Sequence, residues 1–165
     1  MKQDKITLER IEKLHPKIRD EVKKILEEAN SLLADNVEIR VVQGLRTIDE
    51  QNALYVQGRT KPGPKVTNAK GGSSIHNYGL AIDFCLLIND KEISWDLNKD
   101  ADKDSIKDWQ EVVNVFKKYG WNWGGDWKSL KDNPHVEKTF GYTWQQLLAK
   151  YNKKDFIAGT SYVKI

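Results

Sequence analysis

The sequence holds one cysteine, Cys85, in 165 residues, and this excludes an intrachain disulfide. Cys85 sits in the apolar run LAIDFCLLI and reads as an inert buried thiol rather than a nucleophile. No apolar run approaches the roughly 18 residues of a membrane span. The opening MKQDKITLERIEKLHP lacks the apolar core of a signal peptide. Together these point to synthesis in the cytoplasm without a leader, so that work elsewhere requires another exit route. Charge of one sign is scarce too. The 27 basic and 24 acidic residues leave a net charge of +3, too even for a dedicated nucleic-acid binder. That balance suits an acidic polymer weakly and an ordinary mixed-sign surface equally well. Repeats, low-complexity tracts and linkers are absent, which points to one domain.

What is present describes a globular domain: 39% hydrophobic residues, with six Trp, six Tyr and four Phe. Ile18, Val22, Ile25, Ala29, Leu32 and Leu33 recur at helical spacing, and Pro16 suits a helix start, predicting a helix over 17–34. Val37, Ile39 and Val41 alternate with Glu38 and Arg40 as in a strand. Thr47 and Glu50 form a capping box for a helix over 48–57, with Gly58 as its stop. Residues 58–75 read as a long loop, and loops of that length are often functional. Residues 79–88 read as a central strand. A helix is expected over 105–119 with Trp109, Val112, Val113 and Phe116 inward, and a last one from Thr143. Helices and strands that do not alternate predict an α+β fold, a small, mostly antiparallel sheet flanked by helices. Residues 1–36 are read as N-terminal helices and 37–151 as the catalytic core.

Asp83 interrupts an otherwise apolar strand. A buried carboxylate is costly unless paired, hydrogen-bonded or metal-bound. His76 lies in the loop that enters this strand, so the two can converge on one ion, with Gly79 and Ala81 leaving room for close backbone approach. A strand Asp bonded to a nearby helix end is the plainer alternative. Downstream, Asp132-Asn-Pro-His135-Val-Glu137 places a carboxylate three residues before a histidine, and Pro134 keeps Asn133 extended. Two His and one Asp would leave the fourth position of a tetrahedral zinc open for water. An unbound carboxylate could then move protons, and Asp132 is the first candidate and Glu137 the second. The third of the three histidines, His15, reads as structural.

These motifs, S-x-H-x-x-G-x-A-x-D and then D-x-P-H-x-E, resemble the zinc peptidases that include D-alanyl-D-alanine carboxypeptidases and L-alanyl-D-glutamate endopeptidases, with phage endolysins among them. The likeness runs from about Val41 to Tyr151, through Q-G-L-R-T and W-G-G-D-W as well. It implies a fold of the D,D-peptidase type, with His76, Asp83 and His135 as zinc ligands and Asp132 as general base. It implies that Arg46 steadies the oxyanion, a role suited to a fixed fork of donors; a surface ion pair with Asp49 or Glu50 is the alternative. Ser74 matches a serine near the substrate, or is a turn residue. The substrate implied is peptidoglycan stem peptide, cut between L-alanine and D-glutamate, by a monomer that reaches the wall through a holin-type pore. A D,D- or L,D-carboxypeptidase is the close alternative, with Arg59, Lys61, Lys65 or Lys70 to hold a terminal carboxylate. A non-catalytic wall-binding module is the alternative of another class.

Trp123 and Trp127 are candidates to line the cleft, or core. Asp126 is a candidate hydrogen-bond partner of a ligand histidine. Asp100, Asp102, Asp104, Asp108 and Glu111 fall at positions 1, 3, 5, 9 and 12 of a calcium loop, with Ser105 where glycine is usual. An acidic turn capping the following helix explains the same residues without calcium.

Overall fold

The computed structural model describes residues 4–165. Of the expected N-terminal helices, residues 1–3 lie outside the described residues. Helix α1, Lys5–Ile11, is capped by Asp4, whose carboxylate accepts from the Thr7 amide. The helix expected over 17–34 begins as a single 3-10 turn, Pro16–Ile18, and becomes α2 over Arg19–Leu32. Val22, Ile25, Leu26 and Ala29 are its buried stripe.

Strand β1, Val37–Gln43, lies antiparallel to β2, Ala81–Ile88, with an irregularity between Val41 and Gln43. The expected strand 79–88 thus starts two residues late. Gly79 has φ of 69° and ends a 3-10 turn, Ile75–Tyr78. A Cβ there would lie 2.6 Å from the His15 backbone nitrogen, so glycine is required twice over. Helix α3, Ile48–Val56, carries the expected reciprocal capping box of Thr47 and Glu50. Short strands β3 (Glu92–Ser94), β4 (Asn122–Trp123) and β5 (His135–Glu137) complete a five-stranded sheet ordered β1-β2-β5-β4, with β3 on β2. Every pairing is antiparallel. The α+β expectation holds.

Helix α4, Asp108–Lys118, starts three residues later than expected. The aspartates before it accept backbone N–H groups, Ser105 to Asp100 and Ile106 to Asp104, which offers the chain an alternative to helix. Its inward residues are as read: Trp109, Val112, Val113 and Phe116 are buried, and Phe84 of β2 packs between Trp109 and Phe116 at ring distances of 4.6 and 6.2 Å. Helix α5, Trp144–Asn152, has the capping box of Thr143 and Gln146. Cys85 is fully buried, and burial pushes its thiol up to about 11, in keeping with an inert group. His15 is structural: one ring nitrogen meets the Val163 carbonyl at 2.7 Å and ties the C-terminal segment to the start of α2. Among the described residues no helix is long and apolar enough to cross a membrane.

Candidate metal centre

Asp83 and His135 face each other across the β2–β5 ladder, Asp83 opposite His135 in register. Non-local pairing therefore brings a loop fifty residues away onto the anomalous carboxylate. His76 arrives from the 3-10 turn before β2, where the left-handed Gly79 reverses the chain. The result is a cluster in which one ligand-type atom from each of His76, Asp83 and His135 lies within 4.8 Å of the others. Nε2 of His76 is 3.3 Å and Nδ1 of His135 is 3.2 Å from the same oxygen, Asp83 Oδ1. The rings stand nearly perpendicular, 5.0 Å apart.

The outward nitrogens are both engaged. His76 Nδ1 meets the Gly44 carbonyl at 2.8 Å, and His135 Nε2 meets Glu137 Oε1 at 2.8 Å. Such partners fix each ring's tautomer and direct the other nitrogen inward, as around a bound metal. Burial opposes charge on Asp83, but its bonds to His135 and His76 prevail and hold its carboxyl well below the usual range. For His135, burial is outweighed by Asp83 and Glu137, which push the ring up to about 9. The donor set is two imidazoles and a carboxylate converging on one point, which fits a borderline cation such as zinc with a position left open.

The cluster lies in a cleft of about 790 Å³ that Arg46, Ser74, Trp127 and Asp132 also line. Asp132 Oδ2 is 4.0 Å from His135 Nδ1 and half-exposed. Burial and then the charge of Asp83 raise its carboxyl above the ordinary value. Its loop is braced from behind: the Asp132 amide donates to the Gly124 carbonyl, and the indoles of Trp109 and Trp123 both donate to the Asn133 carbonyl, at 3.2 and 2.7 Å. Trp123 therefore supports the loop and does not line the cleft. Trp127 does line it, its ring 5.1 Å from that of His135.

Arg46 does not pair with Asp49 or Glu50; its guanidinium donates to buried Gln51 at 3.0 Å. Asp126 pairs with Lys117 at 2.7 Å, and the histidine partners are Gly44 and Glu137 instead. Sequence reading missed Gln51 and Asn77, buried amides that tie Arg46 and the 67–72 loop together. Gln51 donates to the Ala69 carbonyl and Asn77 to the Arg46 carbonyl. It also missed Glu137 as a partner of His135. Residues two apart on a strand share a face, and that spacing is the signal that would have found it.

Two histidines and an aspartate that could hold a metal ion thus share a cleft with a further carboxylate, Asp132. Residues 67–138 match the family model described as D-alanyl-D-alanine carboxypeptidase. The chain is 50% identical over 101 residues to the peptidoglycan L-alanyl-D-glutamate endopeptidase CwlK of Bacillus subtilis, a match covering 61% of this chain and 60% of that protein. It is 26% identical over 137 residues to the L-alanyl-D-glutamate peptidase of Listeria phage A118, covering 82% of this chain and 42% of that protein. It thus spans less than two thirds of the length of each of these relatives. The fold is shared with the Serratia marcescens L-Ala D-Glu endopeptidase ChiX, at TM-score 0.56 and 21% identity over 85% of this chain and 91% of that one. It is shared too with the vancomycin-resistance D,D-dipeptidase VanXYg, at TM-score 0.54 and 20% identity over 88% of this chain and 61% of that one. The matched segment, 67–138, carries the whole cluster, in agreement with the likeness read from the motifs.

Proposed function

We propose that this protein is a zinc peptidase that hydrolyses peptidoglycan stem peptides, acting as an L-alanyl-D-glutamate endopeptidase. The observation that carries the reading is the convergence of His76, Asp83 and His135 beside Asp132 in one cleft. His76 through Nε2, His135 through Nδ1 and Asp83 would hold the zinc. When bound, zinc supplies Lewis acidity that acidifies water and polarises a peptide carbonyl. Asp132, its carboxyl raised above its ordinary value by burial and the charge of Asp83, is suited to take a proton from the attacking water and return it to the leaving nitrogen. Arg46, its guanidinium steadied by Gln51, presents donors to the charge that develops on the carbonyl oxygen. Ser74 and Trp127 contact the peptide in this reading.

The choice of bond is supported by the names of the two curated relatives. Among the described residues the cations that line the cleft are Arg46 and Lys131, and none comes from the 59–70 loop. A carboxypeptidase needs one to hold the terminal carboxylate. Arg59 is turned inward, donating to the Tyr55 and Thr67 carbonyls, and among the described residues the lining that the 59–70 loop contributes is Val66, Thr67, Asn68 and Ala69. The same proposal has the protein act at the cell wall as a monomer, reached through a holin-type pore as its likeness to phage lysins implies.

Purified peptidoglycan digested with zinc-loaded wild type and Asp132→Asn tests the reading. The wild type should clear the suspension, and the variant should bind zinc equally but clear it about 100-fold or more slowly. Equal clearing removes Asp132 from the chemistry. Wall binding without clearing by either protein points to a binding module.

A further inference from the structure

We propose that residues 100–111 form a calcium site, with Asp100, Asp102, Asp104, Asp108 and Glu111 as oxygen donors, which fixes the start of α4 against the loop carrying Asp132 and His135. The acidic residues close on one another: single oxygens of Asp100, Asp102 and Asp108 lie within 4.8 Å, as do those of Asp102, Asp104 and Glu111. Acidic clusters are common on surfaces, but two members of this one are not on the surface. Asp108 is 0% and Glu111 5% exposed. Asp108 Oδ2 and Glu111 Oε2 are buried without a hydrogen-bond partner, and so is Asp100 Oδ1. Buried carboxylate oxygens left bare are costly, and a cation is the partner that several of them can share. Burial and the nearby Asp104, Asp102, Asp108 and Asp100 push Glu111 up to about 7, the strain expected of carboxylates gathered without their counter-ion.

The loop is shaped for the task. Ser105, where a calcium loop usually has glycine, has φ of 79°, the conformation that glycine would supply. Its amide donates to Asp100 Oδ2 across the loop. The donors are all oxygen, without His or Cys, which selects a hard ion. Five carboxylates, one of them a glutamate able to bind through both oxygens, suit calcium's large and flexible shell better than magnesium's octahedron. The site also has a mechanical output. Asp108 is the first residue of α4 and Trp109 the second, and the Trp109 indole holds the Asn133 carbonyl between Asp132 and His135. Neutralising the repulsion at Asp108 and Glu111 would secure that turn, and with it the loop that carries the base and a metal ligand.

Calorimetric titration of the full, zinc-loaded chain with calcium chloride tests this, repeated with magnesium chloride and with Asp102→Asn. Asp102 is exposed, so its replacement leaves the fold alone. The expected result is one saturable calcium site with a dissociation constant of about 1 mM or tighter, weakened about tenfold or more in Asp102→Asn and for magnesium. Exchange of the His135 amide hydrogen, which is bonded to the Asp132 carbonyl, should slow when calcium is added. No heat at about 10 mM calcium, or equal binding by Asp102→Asn or of magnesium, would overturn the site. Calcium binding without slower exchange would overturn its link to the catalytic loop.

Discussion

Replacing Glu137 by alanine separates the two roles a carboxylate can have in this cleft. Glu137 Oε1 lies 2.8 Å from His135 Nε2, and both side chains are largely buried, 16% and 7% exposed. A hydrogen bond to a charged group is worth about 1.5–3 kcal/mol net when its partner is left buried and bare. At about 1.4 kcal/mol per tenfold change in an equilibrium constant, that range is about 10- to 100-fold in zinc affinity. The same range is typical when the outer partner of a ligand histidine is removed. Competition with a chromophoric chelator should therefore show zinc held about 10- to 100-fold more weakly by Glu137→Ala. Glu137→Gln, which keeps an acceptor oxygen but not the charge, should fall between. Once saturated with zinc, the alanine variant should recover much of the wild-type rate on peptidoglycan. Unchanged zinc affinity with hydrolysis abolished would refute this and make Glu137, rather than Asp132, the proton acceptor.

Three further outcomes follow from the packing. Phe84→Ala empties a fully buried position between Trp109 and Phe116 and should cost about 3–5 kcal/mol in urea denaturation, with a loss under 1 kcal/mol contradicting the packing described. Gly79→Ala forces a side chain into a left-handed residue and against the His15 backbone; a loss of about 1–3 kcal/mol is expected, and a neutral result would mean the turn before β2 is adaptable. Burial holds His15 below its ordinary value of 6.5, and its bond to the Val163 carbonyl compensates only in part. The unfolded chain then takes up a proton near pH 6.5 that the native state refuses. This contribution to stability is complete above that pH and declines as pH falls below it. His135 and Glu111, both raised, act in the opposite sense over this range, so the His15 contribution is read as a difference. Between pH 7.5 and 5.5 the urea midpoint of wild type should change less favourably than that of His15→Gln, and identical changes would refute it.

The parts of the molecule legible in the sequence are those set by local pattern. Capping boxes at Thr47 and Thr143 marked two helices to within a residue, and the spacing of Trp109, Val112, Val113 and Phe116 marked the buried face of α4. Asp83 stood out because charge within an apolar strand demands a partner. What stayed hidden depends on distant pairing or on side-chain competition with the backbone. Nothing near His135 announces that β5 lies against β2 with His135 opposite Asp83. The start of α4 was misplaced because aspartates that could cap a helix instead hold a loop with Lys103 and Ser105 in left-handed conformations. The tryptophans of W-G-G-D-W have different roles for a reason that composition cannot reveal. Trp123 turns its indole to the Asn133 carbonyl, and Trp127, four residues on, faces the cleft.

Mass spectrometry of the fragments released from peptidoglycan by the zinc-loaded protein is the most direct measurement of the central proposal. Fragments with a new amino-terminal D-glutamate are predicted, absent from digests with Asp132→Asn. Loss of a terminal D-alanine, with the bond between L-alanine and D-glutamate intact, would contradict it.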